Sequence, residues 1–261
     1  MTRIHCAPFA LFAPLALLFA ACGASPDELS EADLGSDDLG SENTAADEMG
    51  SADFALTSAP SLGAASQFAA LGASTVTCAN SSNVNGAVGV SPGIALTGFG
   101  AGCTVTGATH PGDALAEQAH ADLFSAYDAL RAADCEHDLT GQDLGGQRLA
   151  PGVYCFDTTA GLTGALTLDG GGDSQAVWIF QVGSAMTTAT SSSVSMAGSG
   201  RANNVFWQVG SSATIATGTA FAGNLLALAS ITLVSGAQLN GRALALNAAV
   251  TLDHNDVSLP Q

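Results

Sequence analysis

The chain has 261 residues and a formal net charge of −18, with five Lys+Arg in all and no lysine among them. That balance excludes nucleic-acid binding, which rests on cations meeting phosphates, and excludes charge-driven adhesion to anionic lipid. Aromatic residues make up only 6%, whereas glycine (31), alanine, serine and threonine abound.

In chain order, Arg3 and His5 form a short basic start. The run "APFALFAPLALLFAA" follows, too short and proline-interrupted to span a bilayer comfortably. Residues 1–21 are therefore expected to be an export signal. The signal ends in "FAAC", which resembles the lipobox of bacterial lipoproteins, with Phe19 where leucine is usual. By that resemblance Cys22 is lipidated, and Gly23 implies sorting to the outer membrane and a cell-surface lipoprotein. Ordinary signal-peptidase cleavage nearby would give a freely secreted protein instead. Between residues 23 and 62 lie ten carboxylates and no base. Such a segment buries too little apolar surface to offset its chain entropy, so 22–61 is expected to be a disordered acidic tether.

The folded domain is expected over 62–261. Export permits disulfides, and Cys78, Cys103, Cys135 and Cys155 allow three pairings. Nearness in sequence favours Cys78 with Cys103 and Cys135 with Cys155, and neither pair has the C-x-x-C spacing of a zinc site. One amphipathic helix is predicted over about 112–133. Asp113 stands ready to cap it, and Leu115, Ala119, Leu123, Ala126 and Leu130 form a stripe that Phe124 and Tyr127 widen. Glu117, Asp122 and Asp128 are expected to face outward. Such a helix needs an apolar surface to lie on.

Most of the remainder reads as short strands separated by glycine-rich turns, and it repeats. Aligning "SAMTTAT", "SSATIAT", "ASITLVSG" and "NAAVTLD" places Thr187, Thr214, Thr232 and Thr251 in one column, at spacings of 27, 18 and 19 residues. A period near eighteen with three short strands per turn is the mark of a β-solenoid. Ala213, Ile215, Ile231, Leu233, Val250 and Leu252 would then point inward and the threonines outward. Thr188 would also face inward, so the column is expected to be regular only over its last three rungs. From Ser174 to Leu252 the only charges are Arg201 and Arg242. The outward surface there is bland and hydroxylated where a soluble surface is normally charged.

Six blocks, "NGAVGVSPGIALTGFG", "VTGATHPGDALAEQAHADLFSAYDAL", "DLGGQRLAPGVYCF", "GLTGALTLDGGGDSQAVWIFQVGS", "NNVFWQVGSSATIATGTAFAGNLLALASITL" and "LNGRALALNAAVTLD", resemble the DUF3494-type microbial ice-binding (antifreeze) protein family. The resemblance implies a mainly β fold: a discontinuous right-handed β-solenoid (triangular β-helix) with one long α-helix packed alongside. It places the N-terminal coils beside the C-terminal ones. It implies ice as the partner, bound through a flat Thr/Ser/Ala-rich face, with growth and recrystallisation of the crystal inhibited. No cofactor or metal is implied, and a monomer is expected. Carried over residue by residue, the ice-binding set is Thr187, Thr214, Thr232 and Thr251. Beside them stand Ser212, Ser230, Ala216, Val234, Ala189 and Ala249, and Gly161 with Thr163 from the preceding coil. Asp253 would mark the end of the patch, and Thr75, Thr77 and Thr97 would extend it if their register allowed.

An enzyme reading needs a cleft with clustered acids or a base. His110, His120, His137 and His254 are scattered, and Asp143, Asp157, Asp169 and Asp173 read as turn residues, "DGGGD" included. The expectation is therefore a non-enzyme. The alternative is a cell-surface adhesin or structural solenoid binding a glycan or protein through the same face. Trp178, Trp207, Phe180 and Phe206 belong to a different strand, expected in the core or under the helix, so the face lacks the aromatics of a protein hot spot.

Overall fold

The structure, a computed structural model, describes residues 59–100 and 102–260. The expected export signal, Cys22 and nearly all of the acidic segment lie outside them. The described chain is built from parallel strands and one α-helix.

Successive turns of the chain lay strands on three faces. The first face stacks His137–Asp138, Gly152–Phe156, Trp178–Val182, Val205–Val209, residues 224–227 and residues 242–245. There the chain order breaks. Ala70 pairs with Ala243 and Leu71 with Leu244, so Phe68–Gly72 follows the C-terminal strand, and Ala87–Val90 and Thr109–Pro111 complete the stack. The N-terminal turns thus lie beside the C-terminal ones, as the resemblance implied. A second face carries Ala160–Leu162, Met186–Thr188, Ala213–Ile215, Ile231–Leu233, Val250–Asp253, Thr75–Ala79 and Ala95–Thr97 in that spatial order. The third face holds Ala165–Asp169, Ser193–Ala197 and the polar strands beyond them.

Two strands, Ala220–Ala227 and Gln238–Ala245, run around the corner from the third face to the first. They turn at Gly223 and Gly241, which are register partners. Gly223 holds φ at 115°, and a Cβ on Gly241 would sit 1.9 Å from the Gly223 carbonyl oxygen, so the corner admits only glycine.

Strand alternation divides the apolar residues into two cores. Trp178, Phe180, Trp207, Ile215, Ile231, Leu233, Val250 and Leu252 point inward and are buried. Tyr154, Phe180 and Trp207 stack there, with ring centroids 5.4 and 3.9 Å apart. Outward from the first face, Val153, Ile179, Phe206, Leu226, Leu244 and Leu71 make a second apolar layer, and helix α1 (Ala114–Arg131) covers it with Ala119, Leu123, Ala126, Tyr127 and Leu130. The two tryptophans and Phe180 therefore fill the interior, whereas Phe206 lies under the helix. Asp113 caps α1 by accepting the Ala116 N–H at 3.0 Å. Asp122 departs from expectation: its carboxylate accepts the Ala64 N–H at 2.7 Å and ties α1 to the turn Gly63–Gln67. Cys78 is bonded to Cys103, and Cys135 to Cys155.

Candidate functional site: the threonine face

On the five strands of the second face from Ala160–Leu162 to Val250–Asp253 the first and third positions are buried and the one between them turns outward. Thr77 likewise turns outward between buried Val76 and Cys78, and on Ala95–Thr97 the threonine is exposed. The pairings place Gly161 beside Thr187, Thr187 beside Thr214, Thr214 beside Thr232, and Thr232 beside Thr251. Thr251 then pairs with Thr77, and Thr77 with Thr97. The middle column is thus Gly161 followed by six threonines, each rung about 4.8 Å from the next by strand spacing. Two expectations are corrected. Thr187 pairs with Gly161 on one side and Thr214 on the other, so the outward column extends beyond the last three rungs. Asp253 is not at the end of the patch, because the last rung in sequence has two further rungs beyond it in space.

Thr188 does turn inward, and its cost is met locally. It is buried, its hydroxyl lies 3.1 Å from that of Thr219, and it accepts the Ala216 N–H at 2.9 Å. A satisfied hydroxyl in the core leaves the outer register undisturbed.

The middle column is flanked on both sides by small groups. One margin runs through Ser212, Ser230, Ala249, Thr75 and Ala95, and the other through Thr163, Ala189, Ala216, Val234, Asp253 and Ala79. The margin hydroxyls are partly used up within the protein. Ser212 and Ser230 bond each other at 3.0 Å, and Thr75 donates to the Ala95 carbonyl oxygen at 2.9 Å. Asp253 accepts from Asn80 at the corner. Among the described residues no such side-chain bond engages the six middle threonines, whose hydroxyls stay available to water. Thr167 lies on the third face, 3.4 Å from Ser195.

A family model described as ice-binding-like matches residues 70–258. The chain belongs to this ice-binding-like family. It is 51% identical over 198 residues to an ice-binding protein of Nostoc sp. (strain HG1), covering 76% of this chain and 73% of that one. An ice-binding protein of Flavobacterium frigoris (strain PS1) is 33% identical over 218 residues, covering 77% and 76%. Among solved structures, an ice-binding protein from an Antarctic biological consortium superposes with a TM-score of 0.76 at 38% identity, over 78% of this chain and 92% of that one. One from the Antarctic ascomycete Antarctomyces psychrotrophicus gives 0.75 at 42% identity, over 77% and 98%.

In this ice-binding-like chain three of the scattered histidines, His110, His120 and His137, have structural partners. His110 Nδ1 lies 2.7 Å from Asp113, His120 bonds the Leu246 carbonyl oxygen at 2.7 Å, and His137 stacks on Tyr154. His254 occupies a corner at φ 58°. Among the described residues no three His, Cys, Asp or Glu side chains gather as a metal site. The sequence left the register of Thr77 and Thr97 open and missed Ala95 as a neighbour. The signal was present in "TVTC" and "ALT", which repeat the buried–outward–buried order around Thr77 and an outward Thr97. Only the pairing of sequence-distant strands places them.

Proposed function

We propose that the chain is an antifreeze protein that adsorbs to ice through its threonine face and thereby inhibits crystal growth and recrystallisation. The column of six threonines carries this reading. A charged side chain orders its own hydration shell, whereas threonine offers one hydroxyl to anchor a water and one methyl that makes neighbouring waters bond among themselves. Repeated at strand spacing on a flat, rigid face, such groups hold a sheet of water in a fixed lattice. Many weak contacts then act at once. The stacked strands support reading the fold as a discontinuous right-handed β-solenoid of triangular section, whose rungs supply that rigidity. The ice-binding names of the relatives support the same partner, and a non-enzymatic role. Export through residues 1–21, a lipid anchor on Cys22 and a monomeric state complete the proposal.

The test is a fluorescent fusion of the full chain in the presence of a growing ice ball, with recrystallisation followed in parallel. Ice coated by the wild-type chain, and left bare by Thr232→Tyr with an unchanged melting temperature, is the expected result. Exclusion of the wild type from ice while it binds glycans or cells would replace this reading with the adhesin one.

A further inference from the structure

The threonine column ends abruptly at Gly161, and what lies over that rung is a carboxylate. Asp143 forms an isolated parallel bridge with Gly161, which makes it the next position of the same column. Its Oδ1 accepts the N–H of Gly145 at 2.7 Å and that of Thr163 at 3.0 Å, so the side chain is fixed across the rung. The other oxygen hangs over Gly161. A Cβ built on Gly161 would lie 3.1 Å from Asp143 Oδ2, inside normal contact distance, so the carboxylate borders the space that a threonine there would use. Gly161 has an ordinary strand partner in Thr187 and no positive φ, so its backbone does not require glycine.

We infer that Asp143 sets the length of the ice-binding column. An ionised carboxylate orients water around its own charge, and here it does so above the one rung without a hydroxyl. Water ordered along Thr187, Thr214 and the rungs beyond cannot continue past it. Asp143 is thus a specificity-determining residue of the proposed ice site, fixing how many rungs meet the crystal, and the inference rests on that site being the one that binds.

Asp143→Asn keeps the Oδ1 acceptor for both N–H groups and removes the charge. In the full chain it should raise the ice-bound fraction about two-fold at equal concentration, as one more rung joins a multivalent array. The double variant Asp143→Asn/Gly161→Thr should raise it further. Asp256→Asn removes the same charge from the third face and should change nothing. An unchanged ice-bound fraction in Asp143→Asn, at wild-type melting temperature, overturns the inference, and so does an equal rise in Asp256→Asn, which would make the effect one of net charge. Thr214→Tyr separates the two levels. Its loss of ice binding with no response to Asp143→Asn leaves the threonine face standing and removes only the length rule. Full binding by Thr214→Tyr removes both.

Discussion

Threonine suits a water-ordering surface because its branched Cβ restricts χ1, so each hydroxyl and methyl is held in place before water arrives. Serine lacks the methyl, and the two margin serines spend their hydroxyls on each other. A tyrosine at Thr232 would stand proud of the column and lift the crystal from neighbouring rungs. Thr232→Tyr should therefore abolish recrystallisation inhibition, whereas Thr167→Tyr on the third face should leave it intact, and equal loss from both would show that the wrong face had been chosen. Asp113 is a residue-scale control on stability. Its carboxyl is held below the ordinary 3.8 by the Ala116 N–H and by the His110 side chain. The folded chain prefers the ionised form, so this contribution is complete above the unfolded value and is lost as pH falls through the lower folded one. Thermal melts between about pH 5 and pH 2 should show wild-type stability dropping more steeply than that of Asp113→Asn.

Helix α1 stays on the first face through polar pins as well as burial. Gln181 donates to the carbonyl oxygens of Leu130 and Ala133 at 2.8 and 2.7 Å, taking up groups that a helix end leaves unpaired. Gln208, its partner on the next strand, donates to the Tyr127 hydroxyl at 2.7 Å. Phe124 remains 40% exposed beside this seam, so the predicted apolar stripe is wider than the surface it covers. Gln181→Leu leaves two helix-end carbonyls without that donor and should cost roughly 1–3 kcal/mol in a urea melt. Ice adsorption by the surviving folded fraction should be unchanged, because the helix covers a different face.

Across the whole molecule, the break in chain order is the feature that most depends on side-chain chemistry. Arg242 sits at the junction, only 7% exposed, and burial lowers its pKa to about 10, which leaves it charged at neutral pH. It donates to the Ser66 carbonyl oxygen at 2.9 Å, to Asn224 at 2.6 Å and to Asn203 at 3.2 Å, binding the first described turn to the C-terminal half. Arg242→Met would orphan these acceptors at roughly 1–3 kcal/mol for each one left buried. The expected outcome is a lower denaturation midpoint. A variant with wild-type stability would show that the junction is held by strand pairing alone.

The sequence by itself determined what local pattern controls. Period-two alternation around Thr214, Thr232 and Thr251 named the outward residues, the 3.6-residue stripe and Asp113 located the helix, and the missing charges marked the bland surface. Side-chain alternation and helix periodicity are local, so they are legible in any window of the chain. Tertiary structure alone decided the rest: that Thr77 and Thr97 continue the column past Thr251, that Asp253 is therefore not at its end, and that Asp143 stands next in line beyond Gly161. Those facts depend on which distant strands share a register, and a register is fixed by the packing of both partners at once.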